Sequence, residues 1–408
     1  MTAPSEFRYW DHLDRPRIRR LRKVARAVLG FDLAPPDEVV RGLAAMYFDA
    51  DPVCEAFVDE VYLRAGTQQG RAMLERALAE GMWPGAPASL AALFADLDDD
   101  PAWVDRERVE RGARAFRRYG TAVFRFAGAI TLEGYAENSV AKPLVLTGAY
   151  AGNSTRRRFL ETVAFWIAVS EPGGLRRGAP GRASALRVRV MHVFVRRKLL
   201  AHPAWDRDAW GVPISQGDAL LTLMGGSFAP GLAMYVLGYL PSRADIAAMM
   251  HFWRYVGHLM GVRPRWFPAN LTEAAQLSFV TMVKGARLSG DDGHELCRSY
   301  ARAFAPDRGL PLRERLAAEV EHRLHLAYTR LFVTPNSYRA HGLPPAGPWV
   351  LVPLVVAPLI AATEIVRRVI PGVERLVDRA ARRRRDRWFA RQMGGHPPEY
   401  KPAEQFTR

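Results

Sequence analysis

A chain of 408 residues, 49% hydrophobic and 25% charged, has the balance of a soluble globular protein with a substantial core, in one large domain or two ordinary ones. Its two cysteines, Cys54 and Cys297, lie far apart in apolar-periodic segments; this excludes a disulfide framework and leaves a reducing cytoplasm as the expected compartment. The net charge of +16 gathers in two clusters, 15–26 and 379–391, without zinc-finger, RNP or basic-zipper spacing, so an anionic membrane surface is the expected polyanion and nucleic acid is not.

Residues 1–37 read as a basic N-terminal arm. Its apolar stretch, Val24 to Leu29, is short, is interrupted by Arg26 and leads to no small-residue cleavage site, so no export signal is read there. Helical periodicity then dominates, and no run alternates with a period of two. Helices are predicted over 38–48, 52–64 and 69–80. The Gly-, Pro- and Asp-rich segment 81–105 reads as a loop around a short helix at 88–97. Two more helices follow at 103–118 and 120–140. Gly152–Asn153–Ser154 supplies N-cap chemistry for a helix over 155–169. A Gly/Pro-rich loop at 171–184 precedes an apolar helix at 185–200.

Ser215 with Asp218, and Ser242 with Asp245, have capping-box spacing and open helices over 216–239 and 243–261. Gly225–Gly226 would loosen the first of these. Helices at 271–286, 291–304 and 312–331 complete the pattern. The prediction is an all-α protein, with one large helical domain over 38–345 and a separate tail, 346–408. In that tail, residues 348–362 are apolar and uncharged, and an arginine-rich helix follows. Fifteen residues holding Pro353 and Pro358 fall short of the roughly twenty that a spanning helix needs. Two readings remain, a monotopic insertion beside a basic surface or a terminal helix buried on the core.

His192 lies on the 185–200 helix, stacked with Val188, Val195 and Leu199 on an apolar strip, with Arg189 and Arg196 one turn to either side. A lone histidine on such a face fits a core position as well as a metal ligand. Haem asks for this combination, an imidazole from an apolar wall with cations near the propionates. On the 155–169 helix, Arg158, Glu161, Thr162 and Phe165 share a face at i, i+3, i+4 and i+7. Buried ionisable groups are costly unless paired or functional, so these form either an internal Arg–Glu pair joining helices or part of a site. His251 and His258, on an aromatic-rich helix, read as core residues. Glu319, His322 and His325 resemble half of a carboxylate di-iron site, which needs a second Glu-x-x-His that the sequence lacks. They read as a solvated face.

Arg158-x-x-x-Thr162, with His192 thirty residues after the threonine, resembles the signature of the latex-clearing proteins (rubber oxygenases), whose wider group includes the fungal MpaB-type oxygenases. WGVPISQGD at 210–218 and FWRYVGHLMGV at 252–262 also match that group, and YFDADPVCEAFVDE at 47–60 does so more weakly. The resemblance implies a globin-like helical core holding one haem b, with His192 as the axial iron ligand and Arg158 and Thr162 near the haem. It implies dioxygen as one reactant and a hydrophobic small molecule, an isoprenoid or natural-product intermediate, as the other.

The chain departs from the rubber-cleaving pattern at two positions. Those relatives carry a lysine directly before the threonine, able to cap the iron, where this chain has Glu161. Their acidic residue about twenty positions upstream falls on Lys142, with Glu137 and Glu133 as the nearest substitutes. Polyisoprene cleavage is therefore not implied, and the missing export signal points the same way. The expected roles are charge stabilisation by Arg158 and proton handling by Glu161 or Thr162. The rival readings are a haem-binding or haem-sensing protein at a membrane surface and a peroxide-using haem enzyme.

Overall fold

In the computed structural model, which describes residues 3–148, 154–307 and 309–394, regular structure is helical throughout, and the one β-bridge among these residues pairs Phe7 with Gly285. The centre of the fold is a pair of helices, Arg106–Arg118 and Arg243–Leu259, packed along most of their length. Each starts for a local reason. Asp105 accepts a hydrogen bond from the Arg108 N–H, and Ser242 with Asp245 forms the reciprocal capping box that the spacing predicts. Arg117 and Arg118 in the last turn of the first helix suit its negative end. The two helices touch at Gly112, where a Cβ would stand 2.0 Å from the Ala248 carbonyl oxygen.

Around this pair, Thr121–Gly134 packs on Leu312–Phe332, and Ser154–Ser170 packs on Pro180–Leu200. Three of the predicted helices depart most clearly from the structure. The helix expected over 120–140 ends at Gly134, and extended backbone at Glu137 starts a second, Asn138–Leu146. The helix expected over 216–239 stops at Gly226, because Ser227 leaves helical geometry and its hydroxyl donates back to the Leu223 carbonyl (2.6 Å). The 185–200 helix begins five residues early, with Pro180 in its first turn. A Cβ on Gly181 would lie 2.4 Å from the Ala168 carbonyl oxygen, so the expected 171–184 loop is a tight corner between two packed helices. Gly152 and Asn153 of the expected N-cap lie outside the described residues.

The described parts of the 1–37 and 346–408 segments are largely helical. Pro16–Leu29 forms a helix held by a two-pronged Arg22–Asp32 pair (3.0 and 2.8 Å), joined by Arg26. Those cations hold the Asp32 carboxyl down at about 2. The C-terminal helices are Leu351–Val369 and Val373–Met393. The second docks through Asp378 on Arg117 (2.8 Å), Arg382 and Arg385 on Glu171, and Trp388, buried and stacked on Phe124. Two arginines of the 379–391 cluster are thereby spent on internal pairs. Leu351–Val369 overturns the buried-helix alternative: it touches the core along one edge and leaves most of its apolar surface exposed.

Gly112 gives the packing a direct test. An exposed mid-helix Gly→Ala change gains about 1 kcal/mol, whereas Gly112→Ala drives a methyl into the Ala248 carbonyl, and overpacking costs about 1–3 kcal/mol. Thermal melting should place the variant below the parent protein. A higher melting temperature would mean that these helices are further apart than described.

Candidate active site

His192 lies near the middle of Pro180–Leu200, with Val188, Val190, Val193 and Phe194 buried around it. Burial, followed by the nearby Arg196 charge, pushes its pKa down to about 4, so the imidazole is neutral at physiological pH. Neither ring nitrogen hydrogen-bonds a described residue. Met191, His192 and Val195 nevertheless keep partial accessibility next to the buried Val190, Val193 and Phe194.

The arginines on either side of His192, expected to lie near the propionates, each have partners within the fold. Arg189 is 1% exposed and donates to Asp51 through Nε (2.7 Å) and Nη2 (2.9 Å), and to Asp96 through Nη1 (2.6 Å). Its charge is neutralised inside the fold. Arg196 donates to the carbonyls of Pro213 (2.9 Å) and Ile214 (2.6 Å), with Nη1 3.6 Å from Glu55. Ile214 holds a left-handed backbone (φ 53°), strained for a β-branched residue, and Arg196 grips the carbonyl of that residue. Both arginines act as clamps on the His192 helix.

Around Arg189 the separated motifs meet. Asp51 also caps Pro52–Phe57 by accepting from the Cys54 N–H. Gln216 donates to the carbonyls of Ala50 (2.9 Å) and Gly261 (3.0 Å) and accepts from the Arg263 N–H (2.7 Å). Gly261 has φ +78°, and a Cβ there would stand 2.0 Å from Asp51 and 2.6 Å from Arg189. Arg263 reaches Asp96 (3.0 Å). The segments 47–60, 210–218 and 252–262, together with the His192 helix, are thus stitched at one buried polar knot. Composition hides it, because an aspartate, a glutamine and a glycine in three separate stretches carry no spacing signal.

On the neighbouring helix, Ser154–Ser170, Glu161 is buried between two arginines, Arg158 Nη1 at 3.0 Å and Arg157 Nε at 3.4 Å. Burial raises its pKa, and the two guanidinium groups oppose that rise. Both partners belong to its own helix, so the pair does not join helices. The Thr162 hydroxyl donates to the Arg158 carbonyl (3.2 Å). Arg158, Thr162 and Trp166, one turn apart, keep partial accessibility among buried neighbours. The polar face read from the sequence is present, and the helix that carries it packs against the His192 helix.

The other candidates are accounted for. Lys142 binds Asp292 (2.7 Å), Glu137 binds Lys284, and Glu133 accepts from the Ser337 hydroxyl (2.6 Å). His251 accepts from the Asp105 N–H (3.1 Å), and His258 stacks on Tyr255 with Nε2 3.2 Å from the Asp99 carbonyl, as core residues do. On the 319–325 face Glu319, which pairs with Arg323, and His322 are both half-buried. His325 is buried, hydrogen-bonded to the Tyr300 hydroxyl (2.9 Å) and 3.1 Å from Glu321, itself in a two-pronged pair with Arg125. Glu321 was missed because the three-residue spacing singles out its neighbours. Among the described residues no group of three or more His, Cys, Asp or Glu side chains forms a metal site.

Two outcomes follow. Asp51→Ala leaves the Arg189 charge buried without its main partner, a change that costs about 3–5 kcal/mol, and it should lower the denaturation midpoint accordingly. A loss below about 1 kcal/mol would mean that water reaches the knot. The second concerns pH. Burial pushes His258 down to about 4, whereas the unfolded chain protonates it near 6.5. Its contribution to stability is therefore complete above pH 6.5 and is lost as pH falls towards 4. Melting temperature should fall less steeply from pH 7 to pH 5 in His258→Gln; an unchanged slope would place His258 in water.

Three comparisons bear on this arrangement. Residues 113–403 match the family model described as ER-bound oxygenase mpaB/B'/rubber oxygenase, catalytic domain. The rubber oxygenase of Streptomyces sp. (strain K30) is 25% identical over 229 residues, 54% of this chain and 54% of that protein, so the chain spans about half the length of the curated relative it matches. A solved structure of latex clearing protein in the closed state superposes with a TM-score of 0.53 at 21% identity, covering 82% of this chain and 88% of that one, a likeness of fold. With the family model matching well over half of the residues, the chain belongs to the mpaB/rubber oxygenase catalytic-domain family.

Proposed function

We propose that the protein is a haem b-dependent oxygenase acting with dioxygen on a hydrophobic small molecule, and that His192 is the axial ligand of its iron. The observation that carries this reading is the state of His192, a neutral imidazole deep in the domain, without a hydrogen bond to a described residue and still partly accessible. A protonated imidazole cannot bind a metal, so the neutral, partly accessible form held here is the one a ligand needs. Haem needs one such ligand from the chain, because the porphyrin brings four of its own. Membership of an oxygenase family supports the reaction class.

A bound haem supplies the redox chemistry with dioxygen, and the chain supplies position, charge and protons. His192 sets the cofactor's orientation, and the Arg189 and Arg196 clamps fix the helix that carries it. Arg189, closed off by two aspartates, is not a propionate partner in this reading. Arg158 offers positive charge near the reacting centre. Glu161, with a carboxyl raised by burial while Arg158 and Arg157 oppose that rise, is the group of this face that can take up or release a proton. Its carboxylate stands where the rubber-cleaving relatives have an iron-capping lysine, so the iron should accept imidazole or cyanide readily.

The purified protein should show a Soret band with about one haem per chain, and His192→Ala should lose most of it while keeping its circular dichroism. Full haem retention in that variant would remove the ligand assignment. Glu161→Gln should keep its haem and lose turnover by about 10²–10⁴-fold, the usual contribution of a positioned proton donor. If turnover per haem is unchanged and only the melting temperature falls, Glu161 is a structural partner of Arg158. Consumption of dioxygen with a hydrophobic substrate separates the oxygenase from a haem carrier.

A further inference from the structure

The apolar segment near the C-terminus is longer in the fold than its composition suggests. A 3-10 turn, Gly347–Val350, runs directly into Leu351–Val369 and makes one 23-residue helical segment, uncharged before Glu364. At 1.5 Å per residue it is about 35 Å long, enough by length to cross a hydrocarbon core of about 30 Å. Its attachments rule that out. The Gly347–Val350 turn packs on the Leu312–Phe332 helix. At mid-length the Ala357 carbonyl lies so close to Gly238 (φ +82°) that a Cβ there would stand 1.9 Å away. Towards the other end, Glu364 is 2% exposed and pairs with Arg118 (3.3 Å) and Arg367 (2.7 Å).

Start, middle and end are therefore fastened to one folded domain. A helix that crossed a bilayer would carry its two ends to opposite sides and pull that domain apart, or drag its charged surface into lipid. The opposite face of the helix is bare. Val355, Leu359 and Val369 are 75, 70 and 72% exposed, and Leu232, Tyr235 and Val236, on the adjoining Phe228–Leu237 stretch, extend the apolar surface. Soluble monomers rarely leave a patch of this kind uncovered.

Charge decides between possible occupants. The carboxylate of the helix, Glu364, points inward, while Arg368, Arg375, Arg379, Arg383 and Arg384 follow it on exposed positions. A second copy would set one cationic rim against another, whereas an anionic leaflet complements both the apolar face and its rim. We propose that Leu351–Val369 and the Leu232–Tyr235–Val236 corner embed together in a single leaflet of an anionic bilayer, parallel to its surface, without crossing it. This anchor is independent of whether His192 binds haem.

The test uses the full chain and sealed vesicles of phosphatidylcholine, with or without phosphatidylglycerol. The protein should co-sediment with the anionic vesicles, and Val355→Glu with Leu359→Glu should weaken partitioning at least about tenfold, since each buried aliphatic side chain is worth about that much or more. Both positions are exposed, so the melting temperature should not change. Pro348→Cys and Pro371→Cys, against the buried native Cys54 and Cys297, then report topology. Both should react with a membrane-impermeant maleimide from outside; protection of one alone would show a spanning helix and overturn the proposal. Unchanged binding in the glutamate variant, equal binding to neutral vesicles, or a vesicle-free dimer that this variant abolishes would each overturn it as well.

Discussion

The Arg189 guanidinium, inside the protein and held by Asp51 and Asp96, is the interaction on which the rest depends. A buried cation is tolerable only with partners in the right geometry, because desolvating it unpaired costs several kcal/mol. That requirement orders the chain. Asp51 must end one loop and begin a helix, Gly261 must lack a side chain, and Gln216 must bridge the two segments. The result is a fixed register for the helix carrying His192, one turn away from the arginine.

This arrangement shows how a neutral imidazole is kept without a hydrogen-bond partner among the described residues. The helix cannot rotate to satisfy His192 elsewhere, because Arg189 and Arg196 hold it on either side, the second by gripping the strained Ile214 turn. Clamping of this kind is the support a functional first layer needs when its geometry must be held closely. The same segments that carry the family resemblance build the clamp. Their shared sequence therefore reflects the support of the site at least as much as the site itself.

Much of the helix content was legible because period 3.6 and capping chemistry are local. The Ser242–Asp245 capping box and the Glu161 face appear as read. Features that depend on distant partners were not legible. Gly226 and Ser227 end a helix that continues by pattern, since a buried serine turns its hydroxyl back onto the chain. His325 looked solvated because its stabilising partners, Tyr300 and Arg125 through Glu321, come from helices elsewhere in the sequence. Nothing in the spacing around Arg189 and Arg196 announces their partners Asp51, Asp96 and the carbonyls of Pro213 and Ile214. In the C-terminal region, the helix boundary at Val369 and the inward Glu364 together turn a run that looked too short to span into a longer helix fastened flat on the domain.

The account stands or falls on what His192 binds, and chemical rescue of the missing side chain tests that most directly. In His192→Gly the imidazole is removed while the clamps on its helix remain. The account predicts a protein that purifies with little haem and regains one haem per chain, with its Soret band, when haem and free imidazole are supplied together. A His192→Gly protein that holds its haem unchanged without imidazole would contradict it.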